Sequence, residues 1–82
     1  SDLLTPDEGN ELSKVAVPPQ LQGQTFDQLF CRLRENRETM ILVAIERNTE
    51  VFVNPEKGFK LQQGDQAILI CRERPEPSDL LI

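Results

Sequence analysis

Residues 40–70 have the sequence MILVAIERNTEVFVNPEKGFKLQQGDQAILI, and this stretch decides the fold of the chain. It contains an apolar run at residues 40–45, a second at 51–53, and a third that begins at residue 67. Short apolar runs bounded by polar residues are typical of β-strands, and the first and third runs are apolar on both faces. The stretch therefore predicts three strands separated by two turns.

Asparagine, proline and glycine mark the turns between these strands. Asn48 is predicted to form a tight hairpin turn, because asparagine tolerates a positive φ. Asn54 and Pro55 end the second strand, since proline cannot donate a hydrogen bond to the strand ladder. Gly64 and Asp65 form the turn into the last strand, with glycine at a positive φ and the aspartate side chain capping the turn.

An amphipathic helix is predicted before these strands. Thr25 is a suitable N-cap, and Gln28 stands three residues later, as a capping box requires. Gly23 provides the turn that leads into the helix, and the helix is expected to end near Asn36. One apolar stripe at helical spacing is formed by Phe26, Leu29, Phe30 and Leu33.

The parts of the chain outside this central region complete the predicted fold. Residues 12–17 are expected to form a first strand, which Pro18 stops. Residues 1–11 are typical of an acidic linker or flexible arm, and residues 73–82 form a charged tail that contains prolines. The domain at residues 12–72 is predicted to be a small α+β fold of β-α-β-β-β order. Its mixed or antiparallel sheet has about four strands and carries one main helix.

A single helix of about three turns can cover only one face of such a sheet. Exposed apolar patches beyond a few hundred Å² are rare on monomers and usually mark interfaces. The second face must therefore be covered by a second copy, by a domain of the parent protein or by the terminal arms, and the arms are too polar and too rich in proline to cover it well. The sequence therefore predicts a homodimer with a partly apolar interface.

Composition excludes several classes of function. The 82-residue chain has a formal net charge of −5 and contains no histidine. The acidic balance argues against binding to nucleic acid or to an anionic membrane surface, because both require clustered Lys and Arg. Without histidine there is no Ser-His or Cys-His nucleophile pair and no imidazole metal ligand. An enzyme built on two carboxylates would need a paired motif, and the sequence offers none, so we predict no catalytic, metal or cofactor site.

The cellular location is predicted from cysteine usage and hydropathy. No apolar run is long enough to span a bilayer, so we expect no direct membrane insertion. Cys31 and Cys71 lack the spacing of a disulfide framework, which indicates a reduced, intracellular protein. Because the chain begins at Ser1 rather than at a methionine, we expect it to be a piece of a longer protein.

The order of the motifs resembles that of the C-terminal RCK domain, also called the TrkA-C domain. A strand that ends in proline is followed by Leu-x-Gly-x-Thr and a helix, then by Val-Ala-Ile-x-Arg, Asn-Pro and Leu-x-x-Gly-Asp. The resemblance covers residues 11–71. Its matching positions are Leu21, Gly23, Thr25, Leu29, Val43, Ala44, Ile45, Arg47, Asn54, Pro55, Leu61, Gly64 and Asp65.

This resemblance implies a cytoplasmic regulatory domain of a potassium channel, a potassium uptake system or another cation transporter. Domains of this family are small α+β units that pair as dimers and follow a nucleotide-binding RCK domain in the parent protein. Some bind a small ligand near the dimer interface, and cyclic di-AMP is the best-known class. Others respond to divalent cations or only hold the assembly together.

Arg47 and the corner formed by Asn54 and Pro55 are the candidate ligand-binding residues. A guanidinium group can bind phosphate through two parallel hydrogen bonds. The alternative for Arg47 is an ion pair with Glu50 or another neighbouring carboxylate. For Asn54 and Pro55 the alternative is a strand end with an Asx turn. Four other motif residues are predicted to be structural: Gly23, Thr25, Gly64 and Asp65.

Two functions remain open at this point. The first is a regulatory dimerisation domain that also senses a small ligand. The second is a purely structural homodimerisation module without a ligand. In the first case, the ligand shifts the population between two inter-subunit geometries, which requires that it bind one of them more tightly.

Overall fold

The computed structural model describes residues 10–81, so residues 1–9 of the predicted arm lie outside it. The strands are β1 (Glu11–Ala16), β2 (Met40–Arg47), β3 (Glu50–Val53) and β4 (Gln66–Cys71), and the α-helix is α1 (Phe26–Asn36). Two short 3₁₀-helices lie at Pro19–Leu21 and Pro77–Leu80. The predicted α+β fold with four strands and one main helix is therefore confirmed.

The four strands form one antiparallel sheet in the order β1-β4-β2-β3. The last strand in the sequence, β4, thus lies in the interior between β1 and β2. Strands β2 and β3 form a hairpin, and its turn contains Asn48 at a φ of 61°. The sheet is antiparallel throughout, which decides between the two sheet types left open by the sequence.

A β-bulge in β2 determines which of its side chains face the helix. The pairing of β2 with β4 skips Val43, between Leu42 and Ala44. A bulge shifts the alternation of side chains along a strand, so Leu42 and Ile45 are both buried although they lie three residues apart. Arg47, two residues beyond Ile45, faces the same side of the sheet.

The helix α1 begins at the predicted N-cap. The Thr25 hydroxyl accepts a hydrogen bond from the Gln28 N–H at 3.1 Å, and the Gln28 side chain accepts one from the Thr25 N–H at 2.9 Å. This capping box satisfies backbone donors that have no partner within the first helical turn. The helix ends at Asn36, as its sequence pattern predicts.

The hydrophobic core lies between α1 and one face of the sheet. The buried members that come from the helix and the strands are Val15, Phe26, Leu29, Leu33, Met40, Leu42, Ile45, Ala67, Leu69 and Cys71. Leu80 of the C-terminal 3₁₀-helix joins this core and is fully buried. Asp79 beside it lies 3.7 Å from the Arg37 guanidinium. The packed unit therefore extends beyond residue 72, into the segment that the sequence predicts to be a charged tail with prolines.

Candidate functional site

The turn before β4 is built around Gly64 and Asp65. Gly64 has a φ of 88°, which lies in the left-handed region that favours glycine. The Asp65 carboxylate accepts a hydrogen bond from the Gln62 N–H at 2.8 Å, and the Asp65 N–H donates to the Gln62 carbonyl at 3.1 Å. The aspartate side chain thus caps the turn, as the sequence predicts.

The buried Asp65 side chain also forms a bidentate ion pair with Arg47. The Nε and Nη2 groups of Arg47 each donate to one carboxylate oxygen of Asp65, both at 2.9 Å. Nη2 donates in addition to the Lys60 carbonyl at 2.9 Å. Charge-assisted pairs of this geometry are among the stronger hydrogen bonds in proteins. The carboxylate partner that the sequence left open for Arg47 is therefore Asp65 rather than Glu50, which lies opposite Arg47 in the hairpin register.

Two aromatic rings lie against the Arg47 guanidinium. Its Cζ is 4.6 Å from the ring centroid of Phe59 and 5.7 Å from that of Phe52. The two ring centroids are 5.2 Å apart. The hydrogen bond to Asp65 raises the pKa of Arg47, although burial acts in the opposite direction. Arg47 is thus a fixed cation held between a carboxylate and two aromatic faces.

Backbone hydrogen bonds attach this cluster to the start of α1. Gly23, at a φ of 92°, donates its N–H to the Leu61 carbonyl at 2.9 Å. Phe26 donates its N–H to the Phe59 carbonyl at 2.8 Å. These bonds hold the loop after β3 against the beginning of the helix. They fix the Phe59 ring and the loop carbonyl that Arg47 binds.

Several residues that carry the resemblance therefore belong to one structural framework: Gly23, Thr25, Arg47, Leu61, Gly64 and Asp65. Sequence analysis did not identify the aromatic part of it. Phe52 and Phe59 are separated by a loop that contains proline, so no strand or helix periodicity relates them. Their shared contact with Arg47 is a consequence of the tertiary fold.

The internal contacts of Arg47 limit its capacity to bind an external ligand. Nε and Nη2 donate within the domain, and only Nη1 has no partner among residues 10–81. A phosphate group would have to displace Asp65 to receive two parallel bonds from Nε and Nη2. The structure thus favours a structural role for this side chain.

The corner formed by Asn54 and Pro55 lies at the opposite end of β3 from Arg47. Arg47 pairs with the first residue of β3, whereas Asn54 follows its last. A strand of this length separates its ends by about 10 Å. Asn54 is exposed at a φ of 48° and donates its N–H to the Val43 carbonyl at 3.0 Å, while Pro55 is half-buried. The structure therefore does not bring the candidate ligand residues together in one pocket.

The second face of the sheet, turned away from α1, is apolar and open. The strand register places six large apolar side chains together on it: Leu12, Ile41, Val51, Val53, Ile68 and Ile70. Val53 is 70% exposed, Leu12 is 64% exposed and Val51 is 48% exposed. The remaining three are half-buried. The strands predicted to be apolar on both faces therefore bury only one face within the described chain.

One ion pair crosses this open face. The Lys14 Nζ on β1 lies 2.6 Å from the Glu46 Oε1 on β2, so the two side chains meet above β4. The Lys14 side chain is 52% exposed. These two residues are the charged side chains that β1 and β2 place among the apolar ones on this face.

A polar cleft of about 530 Å³ lies beside the ends of β1 and β4. Its lining includes three cationic residues, Lys14, Arg72 and Arg74, together with the carboxylates of Glu11 and Glu73. The opposite charges nearly balance, so the cleft has no marked electrostatic preference for an anion. None of the candidate ligand residues predicted from the sequence lines it.

The cysteines and the potential metal ligands of the described part lie apart from one another. Cys31 is exposed on the helix and Cys71 is buried, and both are free thiols. Among residues 10–81, no group of His, Cys, Asp and Glu side chains is arranged to hold a metal ion. Over the same range, no helix has the length and apolar character needed to cross a membrane.

Comparison of the sequence with models of known protein families finds no match, and comparison with curated proteins finds none either. The resemblance to the C-terminal RCK domain thus depends on the order and spacing of the motifs.

Proposed function

We propose that this chain is a regulatory dimerisation domain of a potassium channel or another cation transporter, similar to the C-terminal RCK domains. It lies in the cytoplasm, follows a nucleotide-binding RCK domain in the parent protein, and pairs with a second copy of itself.

The open apolar face of the sheet carries this proposal. A domain of this size has a small core and limited stability of its own. Val53 and Leu12 nevertheless remain largely in water, and a continuous apolar surface surrounds them. Surfaces of this kind on small domains usually mark protein interfaces. Pairing covers this surface without any additional element from the chain.

The framework around Arg47 and Asp65 gives the proposal a second support. The motif residues hold the loops and the start of the helix in place. The order of the motifs along the chain is therefore explained by the fold and does not require a bound ligand. Such a framework suits a domain whose task is to present a rigid surface to a partner.

Ligand sensing is the second part of the proposal. Exposed Asn54 and half-buried Pro55 are accessible at the edge of the sheet, whereas Arg47 is engaged by Asp65. A cyclic dinucleotide or a divalent cation that binds near the dimer interface favours one inter-subunit geometry, which the parent protein relays to its pore. The internal pairing of Arg47 favours the second candidate, a structural dimer without a ligand.

A thermal-shift panel distinguishes the two candidates. Cyclic di-AMP, adenine nucleotides and divalent cations are titrated against the domain, together with a sedimentation measurement of its mass. A ligand at about 100 times its dissociation constant adds about 2.7 kcal/mol of stability, which raises the unfolding temperature clearly. A dimer that no compound stabilises supports the structural candidate, and a monomer that no compound stabilises contradicts the proposal.

Two matched variants locate a ligand that the panel detects. Asn54→Gly removes the candidate side chain, and glycine tolerates the positive φ of that position. Asn48→Gly makes the same change in the β2–β3 turn, where the φ is also positive. The proposal predicts that only Asn54→Gly reduces the ligand-induced shift.

A further inference from the structure

We propose that the second copy packs face to face on the open sheet and that the Lys14–Glu46 ion pair is exchanged in the dimer, so that each lysine binds the glutamate of the other copy. This inference rests on the proposed dimerisation and adds the face, the symmetry and the residues that fix the register.

The charge distribution favours a second copy as the occupant of this face. The whole chain carries a net charge of −5, so two copies repel each other in most orientations. On the open face, however, the strands supply one cation, Lys14, and one anion, Glu46, among apolar side chains. This surface is electrically balanced and complementary to itself, as an interface between identical copies requires.

The position of the ion pair defines a two-fold axis. Lys14 and Glu46 lie on opposite sides of β4 and meet above it. A two-fold axis between the two sheets, perpendicular to the line that joins the two side chains, places each Lys14 opposite the partner copy's Glu46. Packed sheets lie about 10 Å apart, a distance that long lysine and glutamate side chains bridge. The four charges then alternate in sign, which offsets the cost of removing them from water.

The size of the face fits a dissociable dimer. Four strands spaced about 4.8 Å apart and about 20 Å long give a footprint of roughly 400 Å². A standard stable interface buries about 800 Å² of accessible surface on each partner. The footprint is a projected area and understates the accessible surface of the side chains, so the face lies toward the smaller end of stable interfaces. The dimer is therefore expected to dissociate on dilution.

A charge-complementation experiment tests the exchanged pair. Lys14→Glu makes the face acidic, and Glu46→Lys makes it basic, so both variants lose the ion pair within each chain. Each variant alone is expected to remain monomeric at concentrations where the wild type is dimeric. An equimolar mixture is expected to form a heterodimer at least about tenfold tighter than either homodimer at low salt, and salt is expected to weaken it. Sedimentation velocity measures all three samples, and circular dichroism verifies that both variants are folded.

The control is a pair of changes on the helix surface, Arg34→Glu and Glu35→Lys, at positions that are exposed and turned away from the open face. These variants should dimerise like the wild type, alone or mixed.

If Lys14→Glu and Glu46→Lys also dimerise like the wild type, the second copy packs elsewhere, and this inference fails while the proposed dimerisation stands. If the mixture stays monomeric although the wild type dimerises, the exchanged pair is wrong. A wild type that is monomeric at every concentration overturns both.

Discussion

The guanidinium of Arg47 and the carboxylate of Asp65 form two parallel hydrogen bonds of 2.9 Å that join β2 to the turn before β4. The Asp65 side chain is shielded from water, and its carboxylate accepts hydrogen bonds from Arg47 and from the Gln62 N–H. The pair therefore fixes the entry of the central strand β4 relative to the hairpin.

Asp65→Asn is expected to lower the free energy of unfolding by about 2–4 kcal/mol. The substitution removes the counter-charge of Arg47 and one of its strong acceptors, and breaking a buried pair on one side is costly. The Arg47 side chain is 24% exposed, which places the expected value toward the lower end. Urea denaturation measures the change. Because the pKa of Arg47 is raised, the stabilisation that its charge provides is lost only in strongly alkaline solution. The difference in unfolding free energy between the wild type and Asp65→Asn should therefore not vary near neutral pH.

Arg37→Gln is the control for this prediction. Arg37 contacts Asp79 at 3.7 Å near the surface, and exposed pairs contribute between zero and about 1 kcal/mol. Equal losses for Asp65→Asn and Arg37→Gln would contradict the structural importance of the Arg47–Asp65 pair.

Gly64→Ala is expected to destabilise the domain by about 1–2 kcal/mol, because a Cβ atom is unfavourable at a left-handed φ. Nothing lies within 4 Å of a Cβ built at Gly64 or at Gly58, so neither change creates a clash. Gly58 does not have a positive φ, and Gly58→Ala should change stability by no more than about 1 kcal/mol, in the stabilising direction. Thermal unfolding measures both variants, and a lower unfolding temperature for Gly64→Ala alone identifies the positive φ as the cause of the loss. Equal unfolding temperatures for the two variants would contradict this explanation.

Leu80→Ala is expected to cost about 2–4 kcal/mol, since it removes a fully buried side chain from the core. The neighbouring Leu81 is 40% exposed, and Leu81→Ala should cost less than about 1 kcal/mol. Chemical denaturation of the two variants compares them directly. A negligible effect of Leu80→Ala would mean that the C-terminal segment does not belong to the folded unit.

Cys31 is expected to react with a thiol reagent such as DTNB at the rate of an exposed cysteine, while Cys71 should react only when the domain opens. Because Cys31 lies on the helix, away from the open sheet face, its rate should not fall as the dimer forms. Labelling followed by mass spectrometry over a range of protein concentrations measures both. Protection of Cys31 at high concentration would place the interface on the helix side.

Local sequence patterns predicted most of the secondary structure. The capping box of Thr25 and Gln28 defines the start of α1 through contacts within a single helical turn. Glycine and asparagine residues with positive φ mark turns because these residue types tolerate that backbone conformation, which is again a local property. The apolar runs predicted the strands because a strand with a buried face is rich in apolar residues.

Long-range relationships could not be predicted in the same way. The interior position of β4 depends on which strands pair, and the bulge at Val43 leaves no pattern within β2 itself. The partner of Arg47 lies eighteen residues away, whereas the local pattern points to Glu50, which faces Arg47 across the hairpin. Leu80 falls in the predicted charged tail, because charged and proline residues dominate residues 73–82 and two leucines in a row show no periodicity. Each of these features is decided by tertiary packing.

The central claim, that the open sheet face binds a second copy, is tested most directly by the mass of the domain in solution. Sedimentation velocity over a micromolar concentration series should show a reversible dimer for the wild type. Val53→Glu, which adds a charge at the most exposed apolar position of this face, should give a monomer that remains folded. Leu81→Glu makes the same change at an exposed leucine outside the face and should leave the dimer intact. A wild type that stays monomeric throughout the series, or a Val53→Glu variant that dimerises like the wild type, would contradict the account.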